Sequence, residues 1–524
     1  GRIPLTIKQP TPTAPPRASK RTRTMHPLTH LGHILPQRLY TRDTLRALGA
    51  FDRTGKKLDR ANALEQTADA SPTSTLVRLF FLAQSVPTDA LRDAIAPLAL
   101  DDLITANLLT RDAADASRIR SNHAIIPFGK HLTLRDWEPF DTGKPLASDH
   151  VLGVGLATSL LAAMTIRRQG ERVLDIGCGQ GFQSLCAMEH ASRVVATDVT
   201  QRSLDVTRMS ALLNGIALSD TPDQPGIHTR LGSLFEPVKG LEGQFDLIVS
   251  NPPFVIAPKH DLVCLGGTHE GDSLVRELLA GVPTFLADDG FACITLNWHH
   301  KTEDDWPVRP HVWLDRNGCD CLLIKLYSED ARTYADKWVG EADFAHQQGG
   351  ASDVNAWLAE LAKLNANFVS MGCLILRKRA TQGENFFRAE ELDYHTLQGD
   401  ASDQLLAMML NEARFHEAAS MDDILALTLK LDANVELEQR VRQGQGGGWD
   451  ITRGVLRQTH GFPFDLGLDP NAIDLLSDFI GTRPAHEVIT AMARRKRVDP
   501  QQALDASSRF LSKLMRFGFL RVVD

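Results

Sequence analysis

Apolar and polar positions change period several times along the chain, and each change marks a predicted element. From about Pro72 the apolar residues recur at helical spacing in three short segments, TLVRLFFLAQ, TDALRDAIA and LDDLITANLL. The period then falls to two in RIRSNHAIIPF and KHLTLRDW, which predicts a pair of strands. Helix, helix, helix and hairpin is the order of a winged helix. Between residues 145 and 380 short apolar runs alternate with helix-period segments. The strands predicted there are 172–176, 193–198, 245–250, 291–297, 319–327 and 368–379, and the alternation predicts a parallel, doubly wound sheet with helices on both faces. Residues near 380–430 return to a helical pattern. VELEQRVRQGQGGGWDITRGVLRQ then reads as two strands around a Gly-rich turn, and a last helical set ends in FGFLRVV.

These shifts divide the chain into a basic leader over 1–28, a helical, winged-helix-like module over 29–144, an α/β domain over 145–380 and a second helical, winged-helix-like module over 381–524. At roughly 100–200 residues per domain, 524 residues suit about three domains. The first 24 residues hold six Lys or Arg and no acid, so they read as a transit peptide or a disordered, dispensable arm, with Met25 as a plausible start.

Composition excludes several classes. A chain that is 43% hydrophobic and 23% charged has the make-up of a soluble protein. The longest apolar runs, LVRLFFLA and VLGVGLATSLLAAM, are too short or too interrupted to span a membrane. Seven cysteines lack any C-x-x-C pair, and Cys319 and Cys321 would share one strand face, so no metal site is expected and reduced thiols in a cytoplasmic protein are. A net charge of −8 makes no whole-chain case for nucleic acid. Locally, the third N-terminal helix carries Asp101 and Asp102 and no Lys or Arg, which argues for packing or substrate orientation over groove insertion. Near the C-terminus the charge reverses. Arg494, Arg495, Lys496 and Arg497 form a run, and Arg509, Lys513 and Arg516 share one helix face, either solvated or contacting phosphates.

RVLDIGCGQGFQSL is the strongest chemical signal. An apolar strand ends near Asp175, then Gly177, Gly179 and Gly181 make a tight turn into a helix whose free amides face a negative group. A dinucleotide site needs glycine at 182, where Phe182 stands. The next strand, RVVATD, ends at Asp198, whose carboxylate is able to accept two ribose hydroxyls.

The G-x-G-x-G loop behind an acid resembles that of class I S-adenosylmethionine (SAM) methyltransferases. The resemblance implies a Rossmann-like seven-stranded methyltransferase sheet and SAM as cofactor. It implies that Asp175 helps hold the amino end of the methionine moiety, that Gly177, Cys178, Gly179 and Gly181 pass close to the cofactor, and that Asp198 and Val199 meet its ribose side. LGSLFEP resembles the family element that packs on adenine, through Ser233 and Leu234, although many relatives carry Asp where Ser233 stands. DHVLGVG, with Gly153 and Gly155, resembles the segment closing over the cofactor.

FDLIVSNPPFVI runs an apolar strand into Asn251-Pro252-Pro253-Phe254 at the carboxyl edge of the sheet, where open α/β folds bind ligands. Amide and aryl amine nitrogens are poor nucleophiles because their lone pair is delocalised. Two acceptors, the Asn251 side-chain oxygen and the Pro252 carbonyl, suffice to hold a planar NH2 group, proline stiffens the loop and Phe254 stacks on a flat substrate. The tetrapeptide resembles the motif of exocyclic and amide nitrogen methyltransferases, among them release-factor glutamine and ribosomal RNA guanine-amine enzymes. Asn251 also borders the cofactor in that family. The Phe form leans toward RNA, so the expected partner is RNA or a ribosome-associated substrate, with protein glutamine or a small molecule as alternatives, and a SAM-sensing winged-helix protein as the other class. No general base is required, and His260, His269, His299 and His300 are expected on the surface or in loops. In LGGTHEGDSLVRELL, with its Gly266-Gly267 pair, Asp272-Ser273 reads as a helix cap or as part of a substrate-pocket wall.

Overall fold

The computed structural model describes residues 25–50, 58–258, 263, 270–345, 354–380 and 384–523. The leader over 1–24 lies outside them, as do His260, Gly266, Gly267, Thr268 and His269.

An eight-stranded sheet organises the chain. Its strands are β1 (Arg172–Ile176), β2 (Arg193–Asp198), β3 (Gly226–Leu231), β4 (Phe245–Ser250), β5 (Leu286–His300), β6 (Cys319–Asp330), β7 (Phe368–Lys378) and β8 (Phe387–Glu391). They lie in the order β3-β2-β1-β4-β5-β7-β6-β8. β7 runs antiparallel to β5 and β6, which corrects the all-parallel expectation, and the other neighbours are parallel. The strand order reverses between β1 and β4, so a crevice opens at their carboxyl ends.

The central strands are buried on both faces and therefore read as continuous apolar runs. The two edge strands escaped the pattern. In β3 only Gly226 and Ile227 are buried and Leu231 is 55% exposed, and β8 is half-exposed throughout. An edge strand solvates part of its length, so polar residues break its run. The expected seven strands are thus extended by β8.

Among the helices that frame the sheet are α1 (Leu156–Met164), α2 (Phe182–Ala187), α3 (Gln201–Leu213), α4 (Ser273–Phe285), α5 (Val308–Leu314), α6 (Ala331–Ala345) and α7 (Ser402–Glu417). On one face α1, α2, α3 and α7 bring Leu160, Leu185, Leu204 and Leu405 onto Val173, Leu247 and Ile324. On the other, α4 and α5 bring Leu278, Val282 and Leu314 onto Leu174, Ile248 and Leu323. At about 1.5–3 kcal/mol per buried side chain, Leu405, Met408 and Met409 together contribute roughly 5–9 kcal/mol to holding α7 on the sheet.

The leader boundary at 28 moves, because a helix already starts at Pro27 and Leu28 is 2% exposed. That helix, Pro27–Gln37, lies on α3 so closely that the Leu213 carbonyl leaves no room for a side chain at Gly32. Val206 and Leu213 of α3 belong to the N-terminal core. Helices Arg42–Ala47 and Arg60–Gln66 follow, and then helix Pro72–Phe80, strand Val86–Pro87, helices Thr88–Ile95 and Leu100–Thr105, and strands Leu109–Arg111 and Arg118–Ser121. The single strand expected over 118–128 breaks at Asn122, whose backbone N–H donates to Leu108 and whose side chain donates to the Asn107 carbonyl. Ala124–Phe128 then forms the expected hairpin with His131–Arg135.

Val435–Gln443 and Trp449–Gln458 form the expected hairpin. Helices Pro470–Ser477, Ala485–Lys496 and Pro500–Arg516 close a last core around Leu429, Ile489, Leu511 and Phe519. Among the described residues no helix is long and apolar enough to cross a membrane.

Candidate active site

The crevice at the carboxyl ends of β1, β2 and β4 holds a cavity of about 1340 Å³. Its floor is the turn after β1. Gly177, Gly179 and Gly181 have φ of 72°, 53° and 86°, a region costing other residues roughly 1–2 kcal/mol each. Nothing lies within 4 Å of a Cβ built on Gly177 or Gly179, so backbone alone meets whatever enters. Gly181 differs, since a Cβ there would sit 3.0 Å from Thr207 of α3. Thr207 Oγ1 donates to the Gly179 carbonyl at 2.9 Å and lies 3.3 Å from Cys178 Sγ. From β2, Asp198 accepts from the Gly179 N–H and the Thr200 N–H, both at 3.0 Å. The loop is therefore held from two sides.

Asp175 is placed otherwise than the resemblance implied. Its carboxylate is 1% exposed and off the cavity wall, and it accepts from Ser184 Oγ of α2 at 2.6 Å. It braces the helix behind the loop and has no direct path to a ligand. Burial pushes its carboxyl up to about 7, the Asp198 charge adds to that, and the hydrogen bonds from Ser184 oppose it.

Asp198, Val199, Ser233 and Leu234 all border the cavity. Val199 is 51% exposed, an apolar residue open to the crevice. Leu234 has φ of 47°, and behind it Phe235 stacks on Phe285 of α4 at 4.6 Å, where Gly281 leaves space for the ring.

At the end of β4, Asn251, Pro252, Pro253 and Phe254 form the opposite wall. Thr295 Oγ1 of β5 donates to Asn251 Oδ1 at 2.6 Å, and Asn251 Nδ2 donates to Thr158 Oγ1 of α1 at 3.1 Å. Beyond the motif, the Ile256 N–H donates to the Tyr334 hydroxyl of α6 at 2.9 Å. Tyr327, Lys337, Trp338 and Met371 line the cavity beyond Phe254, and the Lys337 ammonium is held by the Tyr327 hydroxyl and Glu329.

The roof comes from the segment joining the N-terminal module to α1: Glu138, Phe140, His150, Gly153 and Gly155 all reach the cavity. A Cβ at Gly153 would lie 2.8 Å from Arg135 Cδ, so a side chain there would have to displace that arginine.

Several expectations change. His299 and His300 are buried near the end of β5, not in a loop, and burial lowers the pKa of both. Asp272 makes no side-chain cap. It is 4% exposed and takes two bonds from Arg309, 2.5 and 2.8 Å long, which leaves its carboxylate no freedom to turn to the helix amides. The basic C-terminal face is partly spent inside the protein: Arg516 lies 3.4 Å from Glu412 and over the Phe415 ring, Arg495 pairs with Asp478 and Lys496 with Asp474. Thr158, Ser184, Thr207, Thr295 and Trp338 give no signal in the sequence, since lone residues in apolar or helical runs join the site only through the fold.

Strand order, glycine turn and the Asn-Pro-Pro-Phe wall define a class I methyltransferase domain. Residues 152–305 match the family model described as methyltransferase small domain, and residues 40–120 match a domain of unknown function (DUF7059). Residues 152–305 are thus a methyltransferase domain by their match. A ribosomal protein uL3 glutamine methyltransferase of Neisseria meningitidis is 29% identical over 30% of this chain. The human MTRF1L release factor glutamine methyltransferase is 28% identical over 27%, and the ribosomal RNA small subunit methyltransferase C of Alcanivorax borkumensis 30% identical over 26%. The matches span 52%, 46% and 36% of these relatives' own lengths.

Proposed function

We propose that the protein is a SAM-dependent N-methyltransferase that holds a planar NH2 nitrogen of a macromolecule between the Asn251 side-chain oxygen and the Pro252 carbonyl. The observation that carries this reading is Asn251 at the cavity wall, with its oxygen tied to Thr295 and its nitrogen to Thr158. The opposite wall fits the cofactor. Asp198 offers acceptors for two ribose hydroxyls, Val199 and Leu234 offer apolar surface for a flat base, Ser233 borders the same edge, and the backbone of Gly177, Cys178, Gly179 and Gly181 is open to the methionine end. Asp175 supports this from behind by bracing α2.

SAM, when bound, supplies an electrophilic methyl group. What this chain adds is position. Two acceptors draw the amine hydrogens aside, Phe254 flanks the plane, and such orientation is able to contribute roughly 7–11 kcal/mol. The proton leaves after the nitrogen has become cationic, so no residue is assigned as a base.

Within this reading we favour a protein carboxamide. Two of the three relatives described act on glutamine, and Arg516 is engaged with Glu412. A ribosome-associated target accords with the names of the ribosomal protein and ribosomal RNA relatives. An RNA amine is the second reading, favoured by Arg509 and Lys513, which have no acidic partner among the described residues and line a second cavity of about 740 Å³ with Arg388. Radiolabelled methyl transfer from SAM into an extract of cells lacking the gene decides between them. Label lost only to protease supports the carboxamide, and label lost to ribonuclease supports RNA. No transfer to either fraction removes the proposal.

A further inference from the structure

An amide side chain is nearly symmetric in shape, so an asparagine that must present oxygen needs something to keep its nitrogen from taking that place. Thr158 does not supply this by itself. Its hydroxyl borders the cavity and is able either to accept from an NH2 or to donate to an oxygen.

Thr295 is different. It lies within β5 at 0% exposure, and its hydroxyl has Asn251 Oδ1 as its one hydrogen-bond partner among the described residues, at 2.6 Å. If the amide turned over, the Thr295 hydrogen would face an NH2 group and remain unpaired in the core. Leaving a buried donor unpaired is costly enough to disfavour that arrangement strongly. One lone pair of Oδ1 is thereby engaged by Thr295, and the other remains for a substrate N–H. The same amide reaches the cofactor side of the cavity. Asn251 Nδ2 meets Thr158 on α1, and the Thr158 carbonyl accepts from Gln183 Nε2 of α2 at 2.8 Å, the helix that follows the glycine turn.

We propose that Thr295 is a positioning residue for methyl transfer: its buried hydroxyl sets the Asn251 amide oxygen-first toward the acceptor amine, acting through Asn251 without touching substrate. This rests on the role given to Asn251 above. It adds a residue outside the Asn-Pro-Pro-Phe motif, on a neighbouring strand, 44 positions downstream.

The test is a series at position 295 read with tritiated SAM and extract from cells lacking the gene. Thr295→Ser keeps the donor with less volume, Thr295→Cys keeps a weak donor, and Thr295→Val keeps the shape with none. The rate at saturating SAM is expected to stay near wild type for Ser, fall for Cys and fall about tenfold for Val, with the KM for SAM unchanged. Rates that follow side-chain volume, with Ser as slow as or slower than Val, overturn the proposal. A Thr295→Val enzyme at full rate does so too. In an Asn251→Ala background the Val substitution is expected to cost nothing further, and a second tenfold loss there would show that Thr295 acts independently of Asn251. Asn251→Ala at full rate is a separate outcome: it brings down the reading of the site, and this proposal with it.

Discussion

Asp136 receives two hydrogen bonds from Arg202, 2.6 Å from Nε and 2.8 Å from a terminal nitrogen, and the pair ties the N-terminal module to α3. The carboxylate is 5% exposed and the guanidinium 42%. The Val151 N–H also donates to Asp136 at 2.9 Å, so the same acid anchors the segment that roofs the cavity. The module and the methyltransferase sheet meet through α3, which belongs to both cores.

Burial alone would raise the Asp136 carboxyl, but His123, Arg202 and the Val151 amide outweigh it and hold it well below the usual carboxylate range. A depressed carboxyl contributes stability that is complete above its unfolded pKa of about 3.9 and is lost as pH falls below that. Asp136→Asn is therefore expected to cost about 1–3 kcal/mol at pH 7, with half-exposed Arg202 keeping the figure modest. Urea midpoints should show a wider gap between wild type and variant at pH 7 than at pH 3, where the loss has begun but is not complete. An equal gap at both would refute the assignment.

Asp175 works in the opposite sense. With its carboxyl raised to about 7, the folded protein holds a proton there that the unfolded chain releases above about pH 4. Its stabilising effect is thus present at low pH and lost as pH rises toward 7. Asp175→Asn keeps an acceptor for Ser184 and removes the buried charge. The variant should gain about 1–3 kcal/mol at pH 8 and little below about pH 4, measured by urea unfolding. A gain independent of pH would place the cause elsewhere.

Gly281 sits within α4, where alanine would ordinarily favour the helix by about 1 kcal/mol. Here the Phe235 ring occupies the space a Cβ would take. Overpacking of about 1–3 kcal/mol wins, so Gly281→Ala should lower Tm and, by moving Phe235 and its neighbour Leu234, weaken SAM binding. A raised Tm would mean that the ring relaxes freely.

Asp198→Asn removes a charge that faces both the Gly179 amide and the cavity. Hydrogen bonds to a charged group contribute about 1.5–3 kcal/mol, so calorimetry should find SAM bound roughly ten- to a hundredfold more weakly. Unchanged affinity would remove the ribose role.

Much of the fold was legible because central strands are covered on both sides and must be apolar, and because the turn after β1 needs glycine where other residues are strained. β3 and β8 were not legible, since edge strands admit polar residues, and neither was the antiparallel sense of β7, which no local pattern encodes. His299 and His300 were misjudged for a related reason: residue type reports an average preference for burial, while the length of β5 carries these two imidazoles into the interior.

By itself the sequence determined the local features: the alternation of strand and helix, the Gly177–Gly181 turn, the acid ending β2 and the stiff Asn-Pro-Pro-Phe stretch, because each depends on backbone freedom and hydrophobic period within a few residues. Tertiary structure alone decided that Asp175 braces α2 from behind, that Arg516 pairs with Glu412, and that Thr158 and Thr295 meet across Asn251. Those relationships join residues far apart in sequence, and hydrogen-bond direction and burial exist only once the layers have packed.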